Sequence, residues 1–135
     1  MGRSLLILLD THVVIWLAQD FQRISARAQS AIEEARKKEG GIAVSCISLV
    51  EIARLANHGR IHLAPDVETI ISEIERRFVV LSITGNIALQ AFELPKDYPN
   101  DPVDRILGAT SLIEDIPLLT ADTQIRKSRA VPTIW

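Results

Sequence analysis

Four acidic residues stand where strand-like segments end or helices begin, although they lie far apart in the chain. Asp10 closes LLILLD, Glu51 lies just inside the helix predicted after GIAVSCIS, Asp104 lies in the first turn of NDPVDRILGATSLI, and Asp122 closes PLLTAD. In an open parallel α/β sheet, such positions meet at one edge, where these folds bind ligands. Carboxylates gathered there repel one another unless a cation holds them, and oxygen-only sites suit Mg²⁺ or Mn²⁺. The pattern therefore indicates metal-dependent phosphoryl transfer.

A regular alternation of strand and helix patterns brings these acids to one edge. Apolar, strand-like runs cover residues 4–9, 41–46, 78–83, 117–120 and 132–135, and helical patterns cover 11–18, 25–38, 48–57, 66–77, 84–94 and 101–114. Strands separated by helices favour βαβ units with right-handed crossovers. We therefore predict an α/β fold, a three-layer sandwich with a central parallel sheet of about five strands flanked by helices. The pattern does not specify the strand order.

Composition places the chain among globular proteins with an aliphatic core. Its 135 residues are enough for one domain, predicted to span 1–135, and apolar residues make up 47% of the chain while aromatics make up 4%. The net charge of −2 gives no general sign of a nucleic-acid binder. The single cysteine, Cys46, is expected to be a small buried apolar residue in a reducing compartment. Asp10 ends the first apolar run too early for a membrane span, so we expect a cytoplasmic protein without membrane contact.

Helix capping is the competing explanation for each acid. Ser48 and Glu51 match the capping box S-x-x-E, and Asp101 with Pro102 matches an N-cap followed by proline. Asp10 and Asp122 could cap the short helices after them, and capping alone explains any one acid well. Independent caps, however, need not share one sheet edge. The conjunction of four favours a shared site, in which helix N-termini help to keep the carboxylates ionised.

Neighbouring polar residues extend the predicted site. Hydroxyl and carboxylate side chains beside the acids could hydrogen-bond the ligand carboxylates, or simply cap and turn: Thr11, Ser48, Asp101 and Thr120. Basic residues close to Asp104 and Asp122 are candidate contacts for a phosphate backbone, or ordinary surface charges: Arg105, Arg126, Lys127 and Arg129. The histidines His12, His58 and His62 fit no metal-binding spacing and are predicted to be satisfied or exposed side chains.

These motifs resemble those of PIN-domain ribonucleases, specifically the VapC-type toxins of toxin–antitoxin pairs. The resemblance runs nearly end to end through LLDTHVVIW, ISLVEIARLANHGRIHL, LPKDYPNDPVDRILGATSL, PLLTAD and VPTIW. It implies that Asp10, Glu51 and Asp104 are the acidic triad, that Asp122 is the fourth acid, and that Thr120 is the hydroxyl residue before it. It also implies cleavage of single-stranded RNA with Mg²⁺ or Mn²⁺, a homodimer, and silencing by a cognate antitoxin. Val50 stands where relatives often carry an aromatic, His is missing near Pro99, and Gly108 replaces a common alanine.

Three alternatives from other classes of protein remain open at this point. A receiver-like signalling domain also binds Mg²⁺ with acids at strand ends, but it usually has paired acids after its first strand, where this chain has only Asp10. A haloacid-type phosphatase needs a second aspartate where His12 stands. A non-catalytic interaction domain would leave the four acids as a coincidence.

Overall fold

A five-stranded parallel sheet forms the centre of the protein, whose computed structural model describes residues 5–135. The strands are β1 (Ile7–Leu9), β2 (Ile42–Ser45), β3 (Val79–Leu81), β4 (Leu118–Leu119) and β5 (Thr133–Ile134). Their order is β3-β2-β1-β4-β5, with every neighbouring pair parallel. The predicted parallel sheet is confirmed. Of the first predicted strand, Ser4 lies outside the described residues.

The helices follow the predicted alternation closely. They are α1 (Thr11–Gln19), α2 (Ala26–Arg36), α3 (Cys46–Asn57), α4 (Val67–Arg77), α5 (Gly85–Ala91), α6 (Pro102–Glu114) and α7 (Thr123–Ser128), with a 3-10 turn at Phe21–Arg23 between α1 and α2. Ser25 caps α2, because its hydroxyl accepts a hydrogen bond from the Ala28 N–H at 3.1 Å. Asp66 caps α4 in the same way through the Thr69 N–H. Local capping thus fixes where these two helices begin.

Helices cover both faces of the sheet and create two apolar cores. Leu9 and Val44 point to the face packed with residues of α1, α2, α3 and α4. Leu8, Ala43 and Leu118 point to the other face, which is packed with residues of α6 and α7. Every residue of β1 and β2 is buried, as expected for central strands covered on both sides. The predicted three-layer sandwich is therefore confirmed, and within residues 5–135 no helix has the length and apolar character needed to cross a bilayer.

Parallel strands bring the starts of α1, α3 and α7 to one edge, which we call the carboxyl edge of the sheet. There β1 leads into α1, β2 into α3 and β4 into α7. Helix α6 contacts α3, and α3 contacts α1. Because each helix N-terminus carries partial positive charge, this edge favours anionic side chains.

Candidate active site

The central acid of the carboxyl edge is Asp10, which is buried with 4% exposure. One carboxylate oxygen accepts the Thr11 N–H at 2.7 Å, and the other accepts the Thr120 hydroxyl at 2.6 Å. Burial raises the pKa of Asp10, while the nearby His12 and the two hydrogen bonds oppose that rise. Asp10 is thus held in one orientation by Thr11, which follows β1, and by Thr120, which follows the adjacent strand β4.

Thr120 connects Asp10 to Asp122. Its hydroxyl donates to Asp10 and accepts the Asp122 N–H at 3.1 Å. The Asp122 carboxylate in turn accepts the Ile125 N–H at 2.9 Å, so Asp122 caps α7 as the capping explanation predicted. It also lies close enough to raise the pKa values of Asp10 and Asp104 by repulsion.

Asp104 differs from the other acids because, within residues 5–135, its carboxylate has no hydrogen-bond or ion-pair partner. Burial, followed by repulsion from Asp10, Asp101, Asp122 and Glu51, raises the pKa of Asp104 to about 7. Its backbone is nevertheless fixed, since the Tyr98 hydroxyl donates to the Asp104 carbonyl oxygen at 2.7 Å. Asp101, rather than Asp104, caps α6. Asp104 therefore presents an unpaired carboxylate that a cation would relieve.

Tyr98 reaches Asp104 only because residue 108 is glycine. Tyr98 is fully buried, and a Cβ atom at Gly108 would lie 2.7 Å from its Cζ atom. The departure from alanine at this position therefore has a packing reason: it makes room for the ring that anchors the first turn of α6.

Glu51 lies in α3 and is not part of a capping box. The helix begins at Cys46, and Ser45 caps it by accepting the Ile47 N–H at 3.1 Å, so the expected cap at Ser48 is wrong by three residues. Glu51 instead forms a two-point ion pair with Arg54, with N···O distances of 3.0 and 3.1 Å. The carboxyl edge thus carries a basic residue that the acidic pattern alone did not reveal.

Asp10, Glu51 and Asp104 line a cleft of about 250 Å³, whereas Asp122 is not among the residues that line it. Within the described residues, 5–135, the lining of this cleft includes four carboxylates, from Asp10, Glu51, Asp101 and Asp104, and no lysine or arginine. Three apolar side chains, those of Ile15, Leu55 and Val103, complete one part of the wall. Among residues 5–135, however, no three His, Cys, Asp or Glu side chains stand close enough to form a ready-made metal site. The carboxylate oxygens of the cleft are suitable ligands for a hard cation, and because they stand apart, such a cation would be bound partly through water.

The other predicted polar residues of the site differ in the groups that they hydrogen-bond. The Thr11 and Ser48 hydroxyls bond to each other at 2.9 Å, and among residues 5–135 neither hydroxyl bonds to a carboxylate. Thr11 contacts Asp10 through its backbone N–H instead. Asp101 accepts the N–H groups of Val103 and Asp104 and also lines the cleft. In the part of the chain that the structure describes, residues 5–135, Thr120 is the one predicted hydroxyl residue whose side-chain hydroxyl donates to one of the four acids.

Arg105 is not the phosphate contact that its position beside Asp104 suggested. It is buried, and its guanidinium donates to the carbonyl oxygens of Ala91, Leu94, Pro95 and Tyr98. That prediction is wrong because the side chain points inward and ties the segment after α5 to α6. Arg126, Lys127 and Arg129 are exposed, in or just after α7, which runs away from the carboxyl edge.

His12 is a site residue that the motif search missed. Its Nε2 atom accepts the Ala121 N–H at 3.0 Å, so in this orientation the ring proton is on Nδ1. Nδ1 lies 3.4 Å from Asp10 Oδ2, and the ring lines the acidic cleft. The available signal was its place two residues after Asp10, in the first turn of α1. His58 and His62, by contrast, are exposed, as predicted.

Comparisons with known proteins agree on one family. The family model described as PIN domain matches residues 7–130. The chain is 36% identical over 131 residues to Ribonuclease VapC22 of Mycobacterium tuberculosis, covering 96% of this chain and 98% of that protein.

Solved structures share the fold at low sequence identity. One is VapBC2 of Rickettsia felis bound to a promoter DNA fragment, with a TM-score of 0.71 and 13% identity over 96% of this chain and 97% of that chain. Another is VapC20 of Mycobacterium tuberculosis, described as a sarcin-ricin loop cleaving toxin. Its TM-score is 0.62, with 20% identity over 91% of this chain and 95% of that one.

Proposed function

The chain belongs to the PIN-domain family, and on that premise we propose that it is a VapC-type endoribonuclease, the toxin of a toxin–antitoxin pair. It hydrolyses phosphodiester bonds in single-stranded regions of RNA, and residues 1–135 act as one nuclease domain. The observation that carries the proposal is the cleft in which several carboxylates lie together, with no lysine or arginine from the described part of the chain, residues 5–135, in its lining. The receiver-like alternative does not explain Glu51, because this acid comes from within a helix and not from a strand end.

PIN-domain nucleases of the VapC type generally depend on a divalent metal. We propose Mg²⁺ or Mn²⁺, held directly or through water by the carboxylates of Asp10, Glu51, Asp104 and Asp122. When bound, such an ion lowers the pKa of a water ligand and stabilises charge on the leaving oxygen. The unpaired Asp104 carboxylate supports this assignment, because its raised pKa reflects crowding that a cation would relieve.

The protein's own residues orient the acids. Thr11 and Thr120 hold the two oxygens of Asp10, so this carboxylate keeps its direction without a ligand. Tyr98 holds the backbone of Asp104. Pre-set ligands of this kind reduce the reorganisation needed when the substrate phosphate arrives. Arg126, Lys127 and Arg129 are proposed to contact the RNA backbone outside the cleft.

Two protein partners are proposed. The cognate antitoxin would place a basic side chain among the acids and apolar groups against Ile15 and Leu55, which line the same cleft. Ile52, which precedes Leu55 in α3, is fully buried and offers no surface to the antitoxin. A second copy of the chain would cover Leu89 and Phe92, which are 70% and 72% exposed. Phe92→Asp should then lower the sedimentation coefficient of the purified protein.

Incubation of the purified protein with labelled single-stranded RNA tests the proposed activity. We expect cleavage with Mg²⁺ or Mn²⁺, none with EDTA, and none from Asp10→Asn at any metal concentration. Cleavage that persists in EDTA, or that Asp10→Asn retains in full, would contradict the proposed site. Transfer of phosphate to Asp10 from a small phosphodonor would favour the receiver-like alternative instead.

A further inference from the structure

Three aromatic rings form a cluster at the carboxyl edge, beside the acidic cleft. The ring centroids of His12 and Trp16 are 4.8 Å apart, those of Trp16 and Trp135 are 5.9 Å apart, and those of His12 and Trp135 are 6.4 Å apart. All three pairs are tilted or edge-on, within the range of favourable aromatic contacts. Trp135 reaches this place because it directly follows β5, whose C-terminal end lies at the same edge as that of β1.

Core packing explains only part of this cluster. Trp16 and Trp135 are half-buried and pack against the core on the α1 face. The fully buried side chains of that core are aliphatic, so it does not require indole rings. The chain has only two tryptophans, and both lie here with part of their surface in solvent.

A cation accompanies the rings. The Arg23 guanidinium carbon lies 4.2 Å from the centroid of the Trp16 ring, within the range of a cation–π contact. Arg23 is exposed, and among the ion pairs of residues 5–135 it has no carboxylate partner. Arg54, Arg76 and Arg77, by contrast, are all paired with glutamates. The charge of Arg23 is therefore available to a ligand.

His12 makes the cluster continuous with the acids. One side of its ring lines the acidic cleft, with Nδ1 at 3.4 Å from Asp10 Oδ2, and the same ring contacts both tryptophans. If the phosphate of one nucleotide lies among the acids, the adjacent nucleotide of the RNA would thus lie within reach of the rings.

We propose that Trp135 and Arg23 form a binding subsite for one unpaired nucleotide of the RNA substrate. The base stacks on Trp135, since the face of Trp16 already carries the guanidinium, and Arg23 binds the phosphate of that nucleotide. This inference rests on the proposed nuclease function and adds a substrate-binding site outside the four acids.

The chemistry of the subsite selects unpaired RNA. Both faces of a base in a duplex are covered by its neighbours, whereas an unstacked base offers a face to an indole ring. Stacking tolerates any base, because each has a π-face. The subsite therefore favours flexible single strands over helices and is weakly selective for sequence.

Intrinsic fluorescence tests this directly, because both tryptophans of the chain lie in the cluster. The wild-type protein is titrated in EDTA, which prevents cleavage, with a single-stranded RNA hexamer and with an abasic ribose-phosphate hexamer of equal charge. We expect the RNA hexamer to quench the fluorescence and the abasic hexamer to leave it nearly unchanged. Equal quenching by both would overturn the stacking assignment.

Substitutions at one position separate stacking from mere bulk. Trp135→Phe keeps an aromatic ring, whereas Trp135→Leu keeps apolar volume without one. We expect Trp135→Leu to raise the Kd for the RNA hexamer roughly tenfold, and Trp135→Phe to restore most of the affinity, as the loss of one base–aromatic stack predicts. Fluorescence polarisation of a labelled hexamer measures both. Equal Kd values for the two variants would contradict the proposal.

Arg23→Ala is matched with Arg60→Ala, which removes an exposed arginine that follows the C-terminal end of α3. We expect Arg23→Ala to weaken hexamer binding and to flatten its salt dependence, while Arg60→Ala behaves as wild type. A wild-type protein that cleaves RNA with Mn²⁺, but whose Trp135→Leu and Arg23→Ala variants bind the hexamer normally, would overturn the subsite and leave the proposed function standing. Base-dependent quenching without any cleavage would instead overturn the proposed function and leave the subsite standing.

Discussion

The amino edge and the carboxyl edge of the sheet each carry a cavity. The larger cavity has charges of both signs in its lining, whereas the smaller one is strongly acidic. The cavity at the amino edge, between α1, α2, α4 and the start of β2, measures about 630 Å³. Its charged lining is mixed: three basic and two acidic residues accompany a mostly apolar wall. The cleft at the carboxyl edge is less than half as large, at about 250 Å³, yet four carboxylates line it.

The contrast shows that unbalanced charge, and not volume, marks the site in this protein. At the amino edge, Arg77 pairs with Glu73 and Arg36 lies near Glu33, so the charges largely neutralise each other. At the carboxyl edge, the Asp104 carboxylate has no hydrogen-bond or ion-pair partner among residues 5–135, and its pKa rises to about 7. A protein keeps such an unfavourable arrangement where function requires it.

The largest expected effect concerns catalysis. Asp104→Asn should reduce metal-dependent RNA cleavage by about a hundredfold or more, because a lost ligand removes several kcal/mol of charge stabilisation from the metal site. Glu39→Gln, which removes an acid from the amino-edge cavity, should leave the rate unchanged. Initial rates on labelled RNA with Mn²⁺ measure both. If the two variants lose activity equally, the distinction between the edges fails.

Metal binding should stabilise the folded protein only through the carboxyl edge. At a Mn²⁺ concentration of about a hundred times Kd, the gain is about 2.7 kcal/mol, or roughly 10 °C in Tm for a chain of this size. Differential scanning fluorimetry should show this shift for wild type and Glu39→Gln, and a much smaller one for Asp104→Asn. An undiminished shift in Asp104→Asn would remove this residue from the metal site.

The pH dependence of the metal-free protein gives a smaller effect of defined sign. Burial and its acidic neighbours raise the pKa of Asp104 to about 7 from an ordinary value of 3.8, so the folded state binds this proton more tightly than the unfolded chain. Stability in EDTA should therefore fall as the pH rises from about 4 to about 7, and Asp104→Asn should remove that loss. Because the carboxylate is partly exposed, the gain for Asp104→Asn at pH 8 should be only about 1 kcal/mol. Urea unfolding at a series of pH values measures it.

Asp66 supplies a control of opposite sign. The Thr69 N–H lowers the pKa of this exposed capping carboxylate, so its stabilisation is present above about pH 4 and is lost as the pH falls. Asp66→Ala should therefore destabilise the protein at neutral pH. If Asp104→Asn also destabilises the metal-free protein, Asp104 is an ordinary structural acid.

The smallest expected effect compares one arginine from each edge. Arg54→Gln removes the cation that now binds Glu51, so the Kd for Mn²⁺ should fall by a factor of about two to five, as expected for a partly exposed ion pair. Arg77→Gln removes the corresponding partner of Glu73 at the amino edge and should leave that Kd unchanged. Isothermal titration calorimetry distinguishes them. A similar change in both variants would indicate a general charge effect.

The fold was predictable to a large extent because its signals are local. Ser25, Asp66 and Asp101 cap the helices that the pattern placed after them, and the short apolar runs became the strands of the sheet, of which β1 and β2 are fully buried. The strand order was not predictable, because it depends on which strands pair across the sheet. The start of α3 was misplaced because Ser45 and Ser48 both resemble caps, and only the backbone path decides between them.

The site was predictable in its acids but not in the side chains around them. The carboxylates follow strand ends, so topology alone brings them together. Arg105 was misjudged because an arginine beside an acid in sequence is on a different side of the helix, where backbone carbonyls bind it. His12 was missed because its hydrogen-bond partner, the Ala121 N–H, lies 109 residues away in the sequence and is brought near only by the pairing of β1 with β4.

The contact between Tyr98 and Gly108 makes the effects of substitutions at these two positions interdependent. Gly108→Ala alone forces the ring away from the Asp104 carbonyl, whereas with a smaller residue at position 98 the added methyl group meets no ring. The two changes should therefore be strongly non-additive in a double-mutant cycle, although ten residues separate them. A change from glycine to alanine at position 108 is therefore expected to be tolerated better once position 98 carries a smaller residue, so the order of the two substitutions decides whether the intermediate keeps the first turn of α6 in place.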